Sequence, residues 1–148
     1  MGQMAAKQEL AGLGTSSEVV RQVFDSQDLI SLQTRQLWFV RCSFVGADLR
    51  QATLDRCSFK LCDLRGANLR GASLRGTHLA GCDLRDADLR DVDLTDAQFG
   101  WVNTGRPPWG LTDLTGADLA GATTTRLCVD RVVGWPPPTI GTPTRGRR

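Results

Sequence analysis
The chain has 148 residues, a formal net charge of +2, and 41% apolar against 23% charged residues. That length predicts one domain, and so small a charge is no argument for a nucleic-acid binder. One histidine, no tyrosine and no glycine-rich phosphate loop leave little to catalyse with, and no apolar run nears membrane-spanning length.

Residues 1–14 (Met-Gly-Gln-Met-Ala-Ala…) read as a flexible N-terminus without the apolar core of a signal peptide. Thr15-Ser16-Ser17-Glu18 has the form of a capping box, which predicts a short helix over 15–25 with Val19, Val20, Val23 and Phe24 on one side. Residues 15–36 are therefore expected to form a helical cap and lead-in, with Leu29, Ile30 and Leu32 running into the body.

From Phe39 to Phe99 every fifth residue is Leu or Phe: Phe39, Phe44, Leu49, Leu54, Phe59, Leu64, Leu69 and so on to Leu94 and Phe99. Two residues before each stands a smaller or apolar residue, such as Cys42, Ala47, Ala52 or Cys57, and the position between is mostly Asp, Asn, Ser or Thr. A helix needs apolar residues every three to four positions and a flat strand every two. A period of five fits neither. It calls for a short extended piece followed by a turn, repeated so that both apolar positions face inward each time, as in a solenoid.

Units such as Ala67-Asn68-Leu69-Arg70-Gly71, Ala72-Ser73-Leu74-Arg75-Gly76 and Ala87-Asp88-Leu89-Arg90-Asp91 resemble the A-[DN]-L-x-x units of the pentapeptide-repeat proteins. The resemblance runs unbroken over 37–101 and returns at 112–121. It implies an all-β solenoid: a right-handed, quadrilateral β-helix with four units per coil, here over 37–131. Residues 102–111 (Val-Asn-Thr-Gly-Arg-Pro-Pro-Trp-Gly-Leu) break the motif, yet 99 and 114 differ by a multiple of five. This segment either continues the coil in degenerate form or bulges out and re-enters in phase. Trp109 accordingly either plugs the core or, with Arg106, stands on a binding loop, both being residue types enriched in binding hot spots. Leu127, Val129, Val132, Val133 and Trp135 could close the last coil or dock a second copy. Residues 132–148 read as a Pro-rich basic tail ending in Arg145, Arg147 and Arg148.

With twenty residues per coil, positions twenty apart stack at about the 4.8 Å spacing of strands. Cys42, Cys62 and Cys82 then form an inward column, read as core packing. The five cysteines, odd in number and without paired spacing, suit a reducing cytoplasm, and the lone outward His78 gives no metal set. Outside, Arg50, Arg70 and Arg90 share one column and Arg65 and Arg85 another. They read either as a lattice of Asp–Arg pairs or as an anion-facing ladder. The repeat body is neutral, but within 82–98 Asp83, Asp86, Asp88, Asp91, Asp93 and Asp96 outnumber Arg85 and Arg90.

These features predict a non-catalytic protein-interaction module that presents a rigid surface to a cytoplasmic protein, without cofactor or metal. The alternative comes from the resemblance. One branch of the family binds bacterial DNA gyrase and topoisomerase IV by imitating duplex DNA, and dimerises through its C-terminal end. That branch is acidic along one face, whereas the body here is neutral. Nucleic-acid binding through the arginine columns lacks aromatic residues on the basic face.

Overall fold
The structure, a computed structural model, describes residues 3–107 and 109–141, with side chains from residue 6 onward. Its main chain winds as a four-sided β-solenoid. One face is a parallel ladder of short strands: β1 (Glu18–Val20), β2 (Trp38–Val40), β3 (Ser58–Lys60), β4 (His78–Ala80), β5 (Gln98–Val102) and, past β6 (Gly110–Leu111), β7 (Cys128–Val129). Phe39 pairs with Phe59 and Phe59 with Leu79, each step being one coil of twenty residues. The other three faces carry single bridges in the same register, such as Ser43 with Asp63, Asp48 with Asn68 and Thr53 with Ser73.

The five-residue period is the geometry of one side of this coil. In the unit around Phe44, Cys42 and Phe44 point inward and are both 2% exposed, while Ser43 points out. The Phe44 carbonyl then accepts the Ala47 N–H at 3.0 Å, and Gly46 turns the corner at φ 65°. A turn of this kind requires φ > 0 at its third residue, which favours Gly, Asn or Asp there. Gly66, Gly71 and Gly76 take that position in the middle coils, and Asp86, Asp91 and Asp96 take it one coil later at φ 60°, 59° and 61°. The interior fills by stacking. Phe39 and Phe59 lie face to face at 4.8 Å, and Phe24 and Phe44 at 5.0 Å.

The coil begins earlier than the motif suggested. No helix spans 15–25; Glu18–Val20 is a strand paired with β2, and Val19, Phe24 and Leu29 are buried in phase with the later units. Within the expected capping box the Ser17 hydroxyl donates to the Gly14 carbonyl at 2.7 Å. An isolated helix of that length gains little, whereas the β-branched Val19 and Val20 complete an existing ladder. The helical cap lies upstream, in the stretch expected to be flexible: α1 (Gln3–Ala11) places Leu10, 3% exposed, over the open end. Lys7 ties it down by donating to the Ile30 carbonyl at 3.0 Å.

The far end is closed by the chain itself. Leu127, Val129, Val132, Trp135 and Ile140 pack against the core, and Trp135 meets Phe99 at 6.2 Å. Pro137 is buried, and the Leu119 N–H donates to the Thr139 hydroxyl oxygen at 2.8 Å. The expected Pro-rich tail thus packs as a lid as far as residue 141, and Arg145, Arg147 and Arg148 lie outside the described residues. Residues 102–111 do not continue the coil. Gln98 pairs with Cys128, thirty residues on instead of twenty, so ten extra residues leave the ladder and return in phase. They form a β-hairpin in which Trp101 faces Leu111 and Val102 faces Gly110. Among the described residues no helix is long and apolar enough to cross a membrane.

Candidate protein-interaction surface
The hairpin is held against the solenoid by one unusual corner. Where the repeat prefers Gly or Asp, residue 61 is a leucine at φ 56°, a conformation that disfavours a branched side chain. Its Cδ2 occupies the space that Cβ atoms on Gly81 and Gly110 would need, 2.8 and 3.1 Å away. Val102 Cγ2 is likewise 3.3 Å from the position of a Gly81 Cβ. Two glycines therefore let Leu61 and Val102 seat the hairpin flat on the body. Beside it runs a groove of about 340 Å³ lined by Val40, Arg41, Lys60, Leu61, Val102 and Thr104 among others. Apolar surface continues along the ladder through Trp38, 50% exposed, and Val20. Sequence reasoning missed this strip; the signal was a Leu at a turn position and a Trp on an outward one.

Arg106 and Trp109 both stand on the hairpin. Trp109 is 36% exposed and outside the buried core, so it is not a core plug. On the next corner Trp101 carries the guanidinium of Arg131 over its ring, 4.4 Å from the centroid, a cation–π contact that anchors the hairpin's base.

The acidic residues of 82–98 are not brought into one column. Asp83, Asp88 and Asp93 face outward on three successive sides of a single coil, and Asp86, Asp91 and Asp96 occupy its corners. The ladders that do run along the solenoid are Asp28–Asp48–Asn68–Asp88–Asp118 and Asp63–Asp83–Asp113. Arginines clamp Asp48 and Asp88 in the first and Asp63 and Asp83 in the second. Arg50 Nε and Nη2 donate to Asp48 at 2.9 and 2.7 Å, Arg65 to Asp63 at 2.9 and 2.8 Å, and Arg85 to Asp83 at 2.9 and 2.7 Å. Arg90 grips Asp88 at 2.9 and 2.6 Å. Arg70, which follows Asn68, reaches Asp91 instead at 3.6 Å. The candidate anion-facing arginines are thus engaged, Arg50, Arg65, Arg85 and Arg90 in the pairing their two-residue spacing allowed and Arg70 across to the next coil. The Arg50 bond holds the Asp48 carboxyl below the usual carboxylate range. For Asp83 and Asp88 partial burial pushes up, and the arginine and backbone bonds outweigh it, so both also end low.

The cysteine column is built as expected and has a function in packing. The thiols of Cys42, Cys62 and Cys82 donate to the carbonyls of Val19, Phe39 and Phe59 at 3.2, 3.4 and 3.2 Å. Thr112 takes over the next rung with a 3.2 Å bond to the Leu79 carbonyl. Burial pushes the Cys57 thiol up to about 11. Cys62 sits at about 12, drawn down by its Cys42 contact and pushed up by Cys82 and burial. Among the described residues no group of three or more His, Cys, Asp or Glu side chains could hold a metal ion.

A coil of five-residue units with Leu or Phe inside defines a class of protein, and the family comparison agrees with it. Residues 35–106, just under half of the chain, match the pentapeptide repeat region. Two solved structures of trypsin-treated QnrB1, a plasmid-mediated fluoroquinolone resistance protein, are similar to it. One is 17% identical, covers 78% of this chain and 84% of the other, and has a TM-score of 0.47. The second is 18% identical, with 80% and 70% covered and a TM-score of 0.48. A pentapeptide repeat protein from the Arabidopsis thaliana thylakoid lumen is 24% identical over 82% of this chain and 69% of that one, with a TM-score of 0.37. Among curated proteins no sequence matches.

Proposed function
We propose that this protein is a non-catalytic interaction module that binds another protein through the hairpin and the strip beside it. The observation that carries this reading is the insertion of ten in-phase residues, which leaves the solenoid intact while displaying Trp109 and Arg106 on a hairpin whose base lines a mixed groove. A core gains nothing from such an insertion, whereas binding sites are commonly loops set on a rigid scaffold. The groove mixes Val40, Leu61 and Val102 with Arg41 and Lys60, so it suits a partner segment with an apolar anchor and acidic neighbours.

Binding of gyrase or topoisomerase IV by DNA imitation is the second reading, supported by the excess of Asp in 82–98. Imitation needs bare carboxylates in line, as phosphates are on a duplex. Here they circle one coil, and in the true columns Asp48, Asp63, Asp83 and Asp88 are each paired with an arginine. Dimerisation through the C-terminal end ranks lower too, because Trp135 and Ile140 already cover it.

The test is capture of partners by the intact protein, the Trp109→Ala variant and the Asp88→Lys/Asp93→Lys variant. The hairpin reading expects a partner lost with Trp109→Ala, retained by the double Asp variant, and only weakly sensitive to salt. Loss with the Asp variant alone, together with inhibition of gyrase supercoiling by the purified protein, would replace it with the second reading.

A further inference from the structure
The fourth side of the solenoid, with Gln33, Thr53, Ser73, Asp93 and Thr123 in register, departs from the pairing rule of its neighbours. Elsewhere an arginine follows an aspartate by two residues and grips it. Here the outer column reads Arg35, Asp55, Arg75, Thr95, and the adjoining corner Gln36, Arg56, Gly76, Asp96. A cavity of about 420 Å³ opens between them, lined by Arg35, Asp55, Arg56, Arg75, Gly76 and Asp96 among others.

Both carboxylates of that cavity are engaged elsewhere. Asp55 accepts the Ser73 hydroxyl at 2.5 Å and the Arg75 backbone N–H at 3.2 Å. Asp96 holds Arg126 through two bonds at 2.6 and 3.1 Å. Among the described residues neither Arg35 nor Arg56 makes an ion pair, and Arg75 reaches only Asp93, at 3.7 Å. Gly76 lacks a side chain where Arg56 Cγ would come within 3.3 Å of its Cβ, and that absence helps keep the cavity open.

We propose that this cavity is an oxyanion site that receives a phosphoryl group, carried by a small phosphorylated molecule or by a phosphorylated protein segment. Three arginines from three consecutive coils line one concavity against two carboxylates, Asp55 and Asp96, so its lining carries one positive charge in excess. Each arginine offers planar N–H forks that bond oxyanions with charge-assisted strength. Arg35 and Arg75 stand two strand spacings apart, roughly 10 Å, with Arg56 between them. A tetrahedral anion with three free oxygens can meet forks from several directions, whereas a planar carboxylate fills one. The backbone is fixed by the ladder, with the Arg56 N–H on the Arg75 carbonyl at 2.8 Å, so little main-chain ordering is lost on binding.

The experiment is an NMR titration of the intact protein, following backbone and arginine Nε–Hε resonances, with inorganic phosphate, pyrophosphate and a phosphoserine peptide beside its unphosphorylated form. Saturable shifts at Arg35, Arg56 and Arg75 are expected. Arg56→Gln should weaken pyrophosphate binding about tenfold or more, as loss of one charge-assisted fork implies. Glutamine already occupies the same left-handed corner at Gln36 and Gln51, so this variant should fold. Arg50→Gln, on a paired column, should change the affinity less than about twofold if local geometry and not overall charge governs binding. Tighter binding of the phosphopeptide than of the free phosphates assigns the source to protein; the reverse assigns it to small molecules. Unsaturable shifts, or equal losses with Arg50→Gln and Arg56→Gln, would overturn the site.

Discussion

The middle coils and the hairpin of this protein follow opposite rules. Over 37–96 every corner repeats, every Leu or Phe at an inward position is buried, and each side chain's direction follows from its place in the unit of five. Over 102–111 the spacing fails, the strands pair antiparallel, and a tryptophan is left partly in solvent. The hairpin nevertheless costs the body nothing in register, because its ten residues equal two whole units. Stability resides in the part that repeats, and the proposed binding surface lies in the part that does not. A solenoid permits this separation because each coil contacts only its neighbours.

The strongest way to break the comparison is to strike the regular part. Leu69→Asp places a carboxylate where the native side chain is 1% exposed and no donor waits for it. A loss of about 3–5 kcal/mol is expected, read as collapse of the thermal or urea transition. A variant that melts with the wild type would refute the packed interior.

The hairpin should behave differently. Excising 102–111 joins residue 101 to 112 and restores twenty-residue spacing, so the β-solenoid circular-dichroism spectrum and a cooperative melt should survive. Removing nine residues instead shifts every later side chain to the wrong face, and the last coil should unfold. Equal outcomes for the two deletions would show that register does not govern this fold. Trp109→Ala should weaken partner binding by about 2 kcal/mol, a hot-spot magnitude, while moving stability by less than about 1 kcal/mol. A larger stability loss would make the tryptophan structural.

Acid should loosen the regular part first. Asp48, Asp83, Asp88 and Asp96 have folded-state carboxyls held below their ordinary values. For groups shifted down, stabilisation is full above the unfolded value, about 3.9, and is lost as pH falls through the folded values. Denaturation midpoints should therefore be flat from neutral pH to about 5 and decline below about 4 as the arginine columns lose their counter-charges. The pairs are largely exposed, so the decline should be shallower than the effect of Leu69→Asp. The smallest effect separates the cysteines. Cys128 is exposed and should react with a thiol reagent at once, whereas Cys42, Cys57, Cys62 and Cys82 should react only on unfolding. Rapid labelling of more than one thiol in the native state would contradict the inward column.

The period of five determined by itself that Phe39 through Phe99 point inward, that Cys42, Cys62 and Cys82 stack, and that Asp48 and Arg50 lie on one side. Each of these depends only on position within a unit and on twenty residues closing a coil, both local properties. The ends and the break were different. Val19 and Phe24 belong to the coil because a ladder edge at β2 was there to receive them, and a capping-box pattern carries no information about that edge. The burial of Pro137 and Trp135 likewise depended on an exposed last coil that the tail could cover. Spacing allowed 102–111 to bulge or to continue; the contacts of Leu61 with Gly81 and Gly110 decided where the hairpin lies. The convergence of Arg35, Arg56 and Arg75 was hidden for the same reason. Residues 35 and 36 were expected in a cap, and only a coil beginning at β1 stacks them against the columns that follow. Periodic burial is written one unit at a time, whereas caps, insertions and clefts are settled by surfaces that exist only once the coils have stacked.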